Sequence, residues 1–109
     1  MILEKRLKKQ KDFDNVFNKG TRLYAKSLTL IYLKSADFKI GVSLGKKHGK
    51  ANVRNRIKRI LKAAVSDILR LNLKKGDYHI VLLPKIKEEY DYHEFYRDIL
   101  YLLKKGDII

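Results

Sequence analysis

Residues 46–62, KKHGKANVRNRIKRILK, constrain what this chain can become more than any other segment. Lys46, Lys47, Lys50, Arg54, Arg56, Lys58, Arg59 and Lys62 fall inside it with no Asp or Glu between them. Val53, Ile57, Ile60 and Leu61 recur within it at helical spacing, and Ala64, Ile68 and Leu71 continue the series. That periodicity predicts a helix from about Asn52 to Leu71 whose apolar stripe packs against a sheet. On such a helix Arg54, Lys58 and Lys62 share one row, and Asn55 and Arg59 form the next, opposite the stripe. Like charges at i, i+4 cost an isolated helix about 0.2–0.5 kcal/mol per pair. The stretch is therefore poorly arranged for its own stability and well arranged for an anionic partner. Arginine offers a planar donor fork to phosphate oxygens, and asparagine can donate to phosphate or ribose. A helix N-terminus adds amide donors, and Gly45 and Gly49 permit close backbone approach in the lysine loop. Most charge runs are solvated helix faces; the lack of any compensating acid favours binding here.

Such a helix needs a surface to cover. Leu28 to Lys34 (LTLIYLK) and Phe38 to Leu44 (FKIGVSL) are rich in β-branched and aromatic residues, and the Ser35-Ala36-Asp37 gap is hairpin-sized, which predicts an antiparallel pair. Tyr78 to Leu83 (YHIVLL) is nearly all apolar, as expected of a strand buried on both faces, and Pro84 ends it. Met1 to Gln10 reads as a basic, extended lead-in. Lys11 to Asn18 reads as a short helix, with Phe13, Val16 and Phe17 on one face, Asp12 and Asp14 in its first turn and Gly20 as its stop. The last helix runs from about Tyr92 to Lys105; Asp91 and Glu94 form a capping box, and Phe95, Ile99, Leu102 and Leu103 its buried stripe. Tyr90, Tyr92, Tyr96 and Tyr101 are read as packing residues. The order α-β-β-α-β-α is an α+β arrangement of helices on a small sheet. No Pro- or Gly-rich linker divides it, so residues 1–109 are expected to form a single domain.

The net charge of +14 makes the compact chain repel itself unless a polyanion neutralises it. Nucleic acid fits better than an anionic membrane, because the charge is spread over loops, strands and helices rather than along one amphipathic helix with bulky anchors. Met1 to Leu7 carries Glu4, Lys5 and Arg6, unlike a signal peptide, and runs such as Ile80 to Pro84 are too short to span a bilayer. A cytoplasmic, membrane-free location is the expectation. Without cysteine there is no disulfide, thiolate nucleophile or Cys-based zinc site. His48, His79 and His93 have no motif spacing, and Asp12, Asp14, Asp91 and Glu94 look like helix-end residues. A protein nuclease needs a base, an electrophile or a metal cage, so neither a catalytic residue nor a metal ligand is assigned.

Arg54-Asn55-Arg56 closely resembles the RNR signature of the bacterial ribonuclease P protein family. The resemblance extends outward through Arg6-Leu7-Lys8-Lys9, Asp12-Phe13, Val16-Phe17 and Gly20 to FKIGVSLGKK (38–47), Gly76-Asp77-Tyr78 and the apolar strand ending at Pro84. It implies an α-β-β-β-α-β-α fold, of the kind shared with ribosomal protein S5 domain 2, with an unusual left-handed βαβ crossover around the RNR helix. It implies a protein that partners a catalytic RNA, one protein per RNA, in removing the 5′ leader from precursor tRNA. The RNA would perform the hydrolysis with magnesium ions that it mainly holds, and the protein would bind no cofactor alone.

Carried over residue by residue, the resemblance assigns Lys46, Lys47, Lys50, Asn52, Arg54, Asn55, Arg56, Lys58, Arg59 and Lys62 to the catalytic RNA, with Arg56 nearer the packed side. It assigns Phe13 and Phe17 to a cleft for the single-stranded leader, which the strand aromatic Tyr32 is expected to join; Tyr32 alternates onto the face of Leu28 and Leu30, and a one-residue register shift would exchange it for Ile31. Such an i, i+4 aromatic pair also suits a core. Stacking on a ring is worth about 1–3 kcal/mol per base, whatever the sequence. Lys62 stands where the family often has arginine, Asn52-Val53 replaces a more apolar pair and could supply an N-cap, and His48 replaces an aliphatic or aromatic residue. A further strand or break near Gly41 would reconcile the two-strand reading with the family order. The alternative function is a structural ribosomal or ribosome-assembly RNA-binding protein.

Overall fold

The computed structural model describes residues 6–71 and 76–109. Its centre is the largely apolar strand β4 (Tyr78–Pro84), in which Ile80, Val81 and Leu82 are fully buried. β4 pairs antiparallel with β2 (Leu28–Lys34) and parallel with β3 (Lys39–Val42), while β1 (Thr21–Tyr24) pairs antiparallel with β2. The sheet order is β1-β2-β4-β3. The expected hairpin of 28–34 with 38–44 is therefore absent. β4 takes the place between those strands, where both of its apolar faces are covered. The hairpin is β1–β2 instead, closed by Ala25 N–H donating to the Leu28 carbonyl at 3.0 Å. The extra strand lies at Thr21–Tyr24 rather than near Gly41. It is an edge strand with only Leu23 partly buried, so TRLY carries no apolar run to reveal it. With it, the order becomes the α-β-β-β-α-β-α expected from the resemblance.

Two helices, α2 (Ala51–Leu71) and α3 (Tyr92–Lys105), cover one face of the sheet, and α1 (Gln10–Lys19) covers the other. Strand alternation divides the side chains between the two. Leu28, Leu30, Ile40, Ile80 and Leu82 join Ile57, Leu61, Ala64 and Ile68 of α2 and Phe95, Ile99, Leu102 and Leu103 of α3 in the larger core. Leu7, Val16, Ile31 and Val81 form a smaller one under α1, flanked by half-buried Phe13, Phe17, Leu33 and Leu83. Val53 and Leu71, expected on the packed stripe, are 38% and 69% exposed. They stand in the first and last turns of α2, where the helix outruns the sheet. Residues 1–5 of the expected lead-in lie outside the described residues; Arg6 bridges to Ile40, and Leu7 N–H donates to the Ile40 carbonyl at 3.0 Å, covering the β3 edge.

The caps behave as the sequence suggests in part. Asp91 accepts from the Glu94 amide at 3.3 Å, and Gly20 N–H closes α1 on the Val16 carbonyl at 2.8 Å. Two polar ties were not visible in the sequence. Asp98, buried on α3, accepts from the Ser27 amide (2.9 Å) and hydroxyl (2.5 Å) and from Arg97 Nε (3.2 Å), fastening α3 to the β1–β2 turn. Burial alone would raise the Asp98 pKa, but the Ser27 and Arg97 hydrogen bonds outweigh it and hold the carboxyl below its ordinary value. Tyr92 donates its hydroxyl to Asp67, joining α3 to α2, and that bond raises the tyrosine pKa. Tyr90, Tyr92 and Tyr96 pack against the larger core as expected; Tyr101 is 53% exposed and does not.

Candidate nucleic-acid interface

The basic stretch begins as a single 3₁₀ turn, Lys46–His48, and passes through Gly49 into α2. Gly49 has φ +110°, a conformation open to glycine, and a Cβ there would also meet Val53 at 3.2 Å. Arg54 N–H makes an early helical bond to the Lys50 carbonyl at 3.0 Å. Asn52 thus lies inside the helix rather than capping it. Lys46, Lys47, Lys50, Asn52, Asn55, Arg56, Lys58 and Arg59 are exposed, and Arg54 and Lys62 are half-buried.

The cations do not form one strip. Arg54 and Lys58 line a shallow hollow of about 210 Å³ beside Leu44, and Lys58 and Lys62 reach the mouth of a second, about 230 Å³, at the β3 edge. Arg56 points to the opposite flank, into a hollow shared with Val53, Ile60, Glu88, Glu89 and Tyr90. The expectation that Arg56 sits nearer the packed side holds for its direction, although it is exposed. Asn55 lines the first hollow with Arg54 and Lys58, and Arg59 stands exposed outside all three hollows. The ion pairs among the described residues join Asp37 to Lys39 and His79, Asp67 to Arg70, Glu94 to Lys87 and Asp98 to Arg97. None of these uses a cation of 46–62. Arg54 Nε is buried without a hydrogen-bond partner among the described residues.

The second surface lies around α1. Phe13 and Phe17 are half-buried, packed on the small core while keeping part of each ring exposed. Phe13 lies directly over Gly41 of β3; a Cβ at Gly41 would come within 2.7 Å of its Cζ. Phe13 also lines the hollow that Lys58 and Lys62 reach, so the α1 aromatic and the α2 cations meet across the β3 edge. Tyr32 does not join them. It projects from the opposite face of the sheet, edge-on to Tyr78 at 5.6 Å, and packs against the larger core. Alternation puts Ile31 on the α1 side instead, and Ile31 is fully buried.

The sequence reading also missed two residues. β1 pairs Arg22 with Ile31 and Tyr24 with Thr29, which sets Arg22 and Tyr24 on the α1 face. Both are exposed, Tyr24 by 63%. The two-residue alternation in TRLY after the helix stop was the available signal. His79 Nε2 lies 2.7 Å from Asp37 and 3.2 Å from Ser35 Oγ. Both partners meet the same nitrogen, so this is not a nucleophile–base–acid relay. Among the described residues, no cluster of His, Asp and Glu could hold a metal ion, and no helix is long and apolar enough to cross a membrane.

Residues 1–107 match the model of the family described as Ribonuclease P. A ribonuclease P protein component of Bacillus velezensis is 35% identical over 106 residues, covering 94% of this chain and 90% of that protein. One from Clostridium botulinum is 32% identical over 108 residues, covering 96% of each. The ribonuclease P protein of Thermotoga maritima superposes with a TM-score of 0.72 at 29% identity, covering 92% of this chain and 96% of that one. That of Staphylococcus aureus superposes with a TM-score of 0.77 at 17% identity, covering 97% and 98%.

Proposed function

Because the chain belongs to the ribonuclease P protein family, and so is a protein subunit of the ribonucleoprotein that processes tRNA 5′ ends, we propose that its two surfaces divide that work. The 3₁₀ turn and the solvent side of α2, with Lys46, Lys47, Lys50, Asn52, Arg54, Asn55, Lys58, Arg59 and Lys62, bind the catalytic RNA. Arg56 binds from the other flank. The α1 side, with Phe13 beside Lys58 and Lys62 and Phe17 packed on the same small core, holds the single-stranded leader of precursor tRNA. Tyr32 is not part of that cleft.

The observation that carries this reading is the acid-free basic stretch standing in solvent, with its cations outside the ion pairs formed elsewhere among the described residues. Unneutralised charge of this kind is what phosphate contacts use. Hydrolysis belongs to the RNA, with magnesium held mainly there, and the protein contributes binding and orientation, one copy per RNA, in the cytoplasm. Reconstitution tests it: adding the chain to ribonuclease P RNA should restore precursor-tRNA cleavage at low magnesium, and the chain alone should cleave nothing. Binding to structured RNA without any such stimulation would instead favour a ribosomal or assembly role.

A further inference from the structure

Both ring nitrogens of His48 are engaged. The Gly45 amide donates to Nδ1 at 3.1 Å, and Nε2 lies 2.7 Å from the Pro84 carbonyl oxygen. An amide N–H can only donate and a carbonyl oxygen can only accept. Nδ1 must therefore be bare and Nε2 must carry the proton. The neutral Nε2–H tautomer makes both bonds; a ring protonated at Nδ1 would set two N–H groups against each other.

The other bonds of this turn are local: His48 N–H to the Gly45 carbonyl (3.0 Å) and Gly49 N–H to the Lys46 carbonyl (3.1 Å). The Nε2 bond instead spans 36 residues to the end of β4. The strand it reaches also carries Leu83, which flanks the small core on the α1 face. One side chain thus joins the lysine turn to the strand beneath the other surface.

We propose that His48 is a positioning residue for RNA binding: as the Nε2–H imidazole it ties the turn bearing Lys46 and Lys47, and with it the entry into α2, to the end of β4. The inference rests on the reading that this turn meets RNA. Without the tie, ordering the turn falls on the binding step and lowers affinity.

The test compares wild type, His48→Ala, His48→Gln, His48→Asn and Arg59→Ala, measuring affinity for ribonuclease P RNA across a salt series. Nitrogen NMR of the free chain reads the His48 tautomer directly. A glutamine amide reaches the Nε2 position and restores the donor to Pro84; an asparagine oxygen reaches the Nδ1 position and restores only the Gly45 acceptor. The neutral ring should carry its proton on Nε2 and not on Nδ1. His48→Ala should bind about 3- to 10-fold more weakly, the scale of one or two neutral hydrogen bonds. His48→Gln should recover most of that loss and His48→Asn little of it. The salt slope should stay at the wild-type value, since no phosphate contact is removed.

A neutral ring protonated at Nδ1, or a His48→Gln affinity no better than that of His48→Ala, overturns the proposal even if the alanine variant folds poorly. Wild-type affinity in His48→Ala beside a weakened Arg59→Ala overturns the role of His48 and leaves the RNA surface standing. Wild-type affinity in both overturns the RNA surface and the role of His48 with it.

Discussion

Leu82 and Leu83 are neighbours in β4 yet belong to different surfaces. Leu82 is fully buried in the large core between the sheet and α2 and α3, whereas Leu83 is half-buried on the α1 side. The same contrast runs through β2, where Leu28 and Leu30 serve the large core and Ile31 and Leu33 the small one. One face of the sheet is closed by two helices and concentrates apolar burial. The other is closed by a single ten-residue helix and leaves aromatic and aliphatic surface partly open. On the proposed reading, stability and leader binding fall to alternate residues of the same strands.

Leu82→Ala gives the sharpest test of that division. Removing a fully buried leucine side chain costs about 2–5 kcal/mol, which would be read as a large fall in the midpoint of urea unfolding. Leu83→Ala should cost much less and should act on the binding of leader-bearing tRNA. Equal destabilisation by the two would mean that the α1 face is a second core and not an open surface.

Asp98 should rank next, because it stitches the closed face to the β1–β2 turn. Asp98→Asn weakens a buried acceptor of three hydrogen bonds, a loss of about 1–3 kcal/mol. Its pKa is lower in the folded chain than the ordinary 3.8, so its contribution is present above that pH and is lost as the pH falls through the lowered folded value. Stability measured below pH 3.8 should therefore fall more steeply in wild type than in Asp98→Asn. Parallel pH profiles would show that the carboxylate is not the stabilising species.

Most of this arrangement could be read from residue order, and the parts that could not share a cause. The α2 stripe, the α3 stripe and the doubly buried strand follow from local periodicity, which one chain segment carries by itself. The sheet order does not: nothing within 28–44 tells that β4 will separate the two strands, since that depends on which surfaces are left to cover its second face. β1 escaped because an edge strand exposes the residues that would mark it. Tyr32 shares the face of Leu28 and Leu30, as alternation predicts, but α2 and α3 cover that face, and nothing within the strand tells which face α1 will take. The RNR stretch was legible as a basic helix, whereas the split of its cations between two flanks needed the neighbouring loop at Glu88–Tyr90 and the β3 edge to be in position.

On the open face, Phe17→Ala should weaken precursor tRNA more than mature tRNA, by up to about 1–3 kcal/mol if the ring stacks on one leader base. Tyr32→Ala, on the closed face, should leave that difference unchanged and act on stability alone. A leader effect from Tyr32, or equal effects of Phe17→Ala on both tRNAs, would erase the distinction between the faces.

The smallest expected effects distinguish Arg59 of α2 from Arg56. Arg59 is exposed and lines none of the three hollows, so a phosphate can approach it freely, whereas Arg56 shares its hollow with Glu88 and Glu89. Each phosphate contact contributes about 0.9 to the slope of log affinity against log salt for duplex nucleic acid. Arg59→Ala should lower that slope by nearly one contact with little change in thermal stability. Arg56→Ala should lower it by less, because nearby carboxylates already offset part of its charge. Pairing Arg56→Ala with Glu88→Gln and Glu89→Gln turns the argument around: neutralising the acids in an otherwise wild-type chain should strengthen RNA binding, and by more while Arg56 is present than after Arg56→Ala. If the two arginines contribute equally to the slope and the acids are without effect, the two positions meet RNA alike.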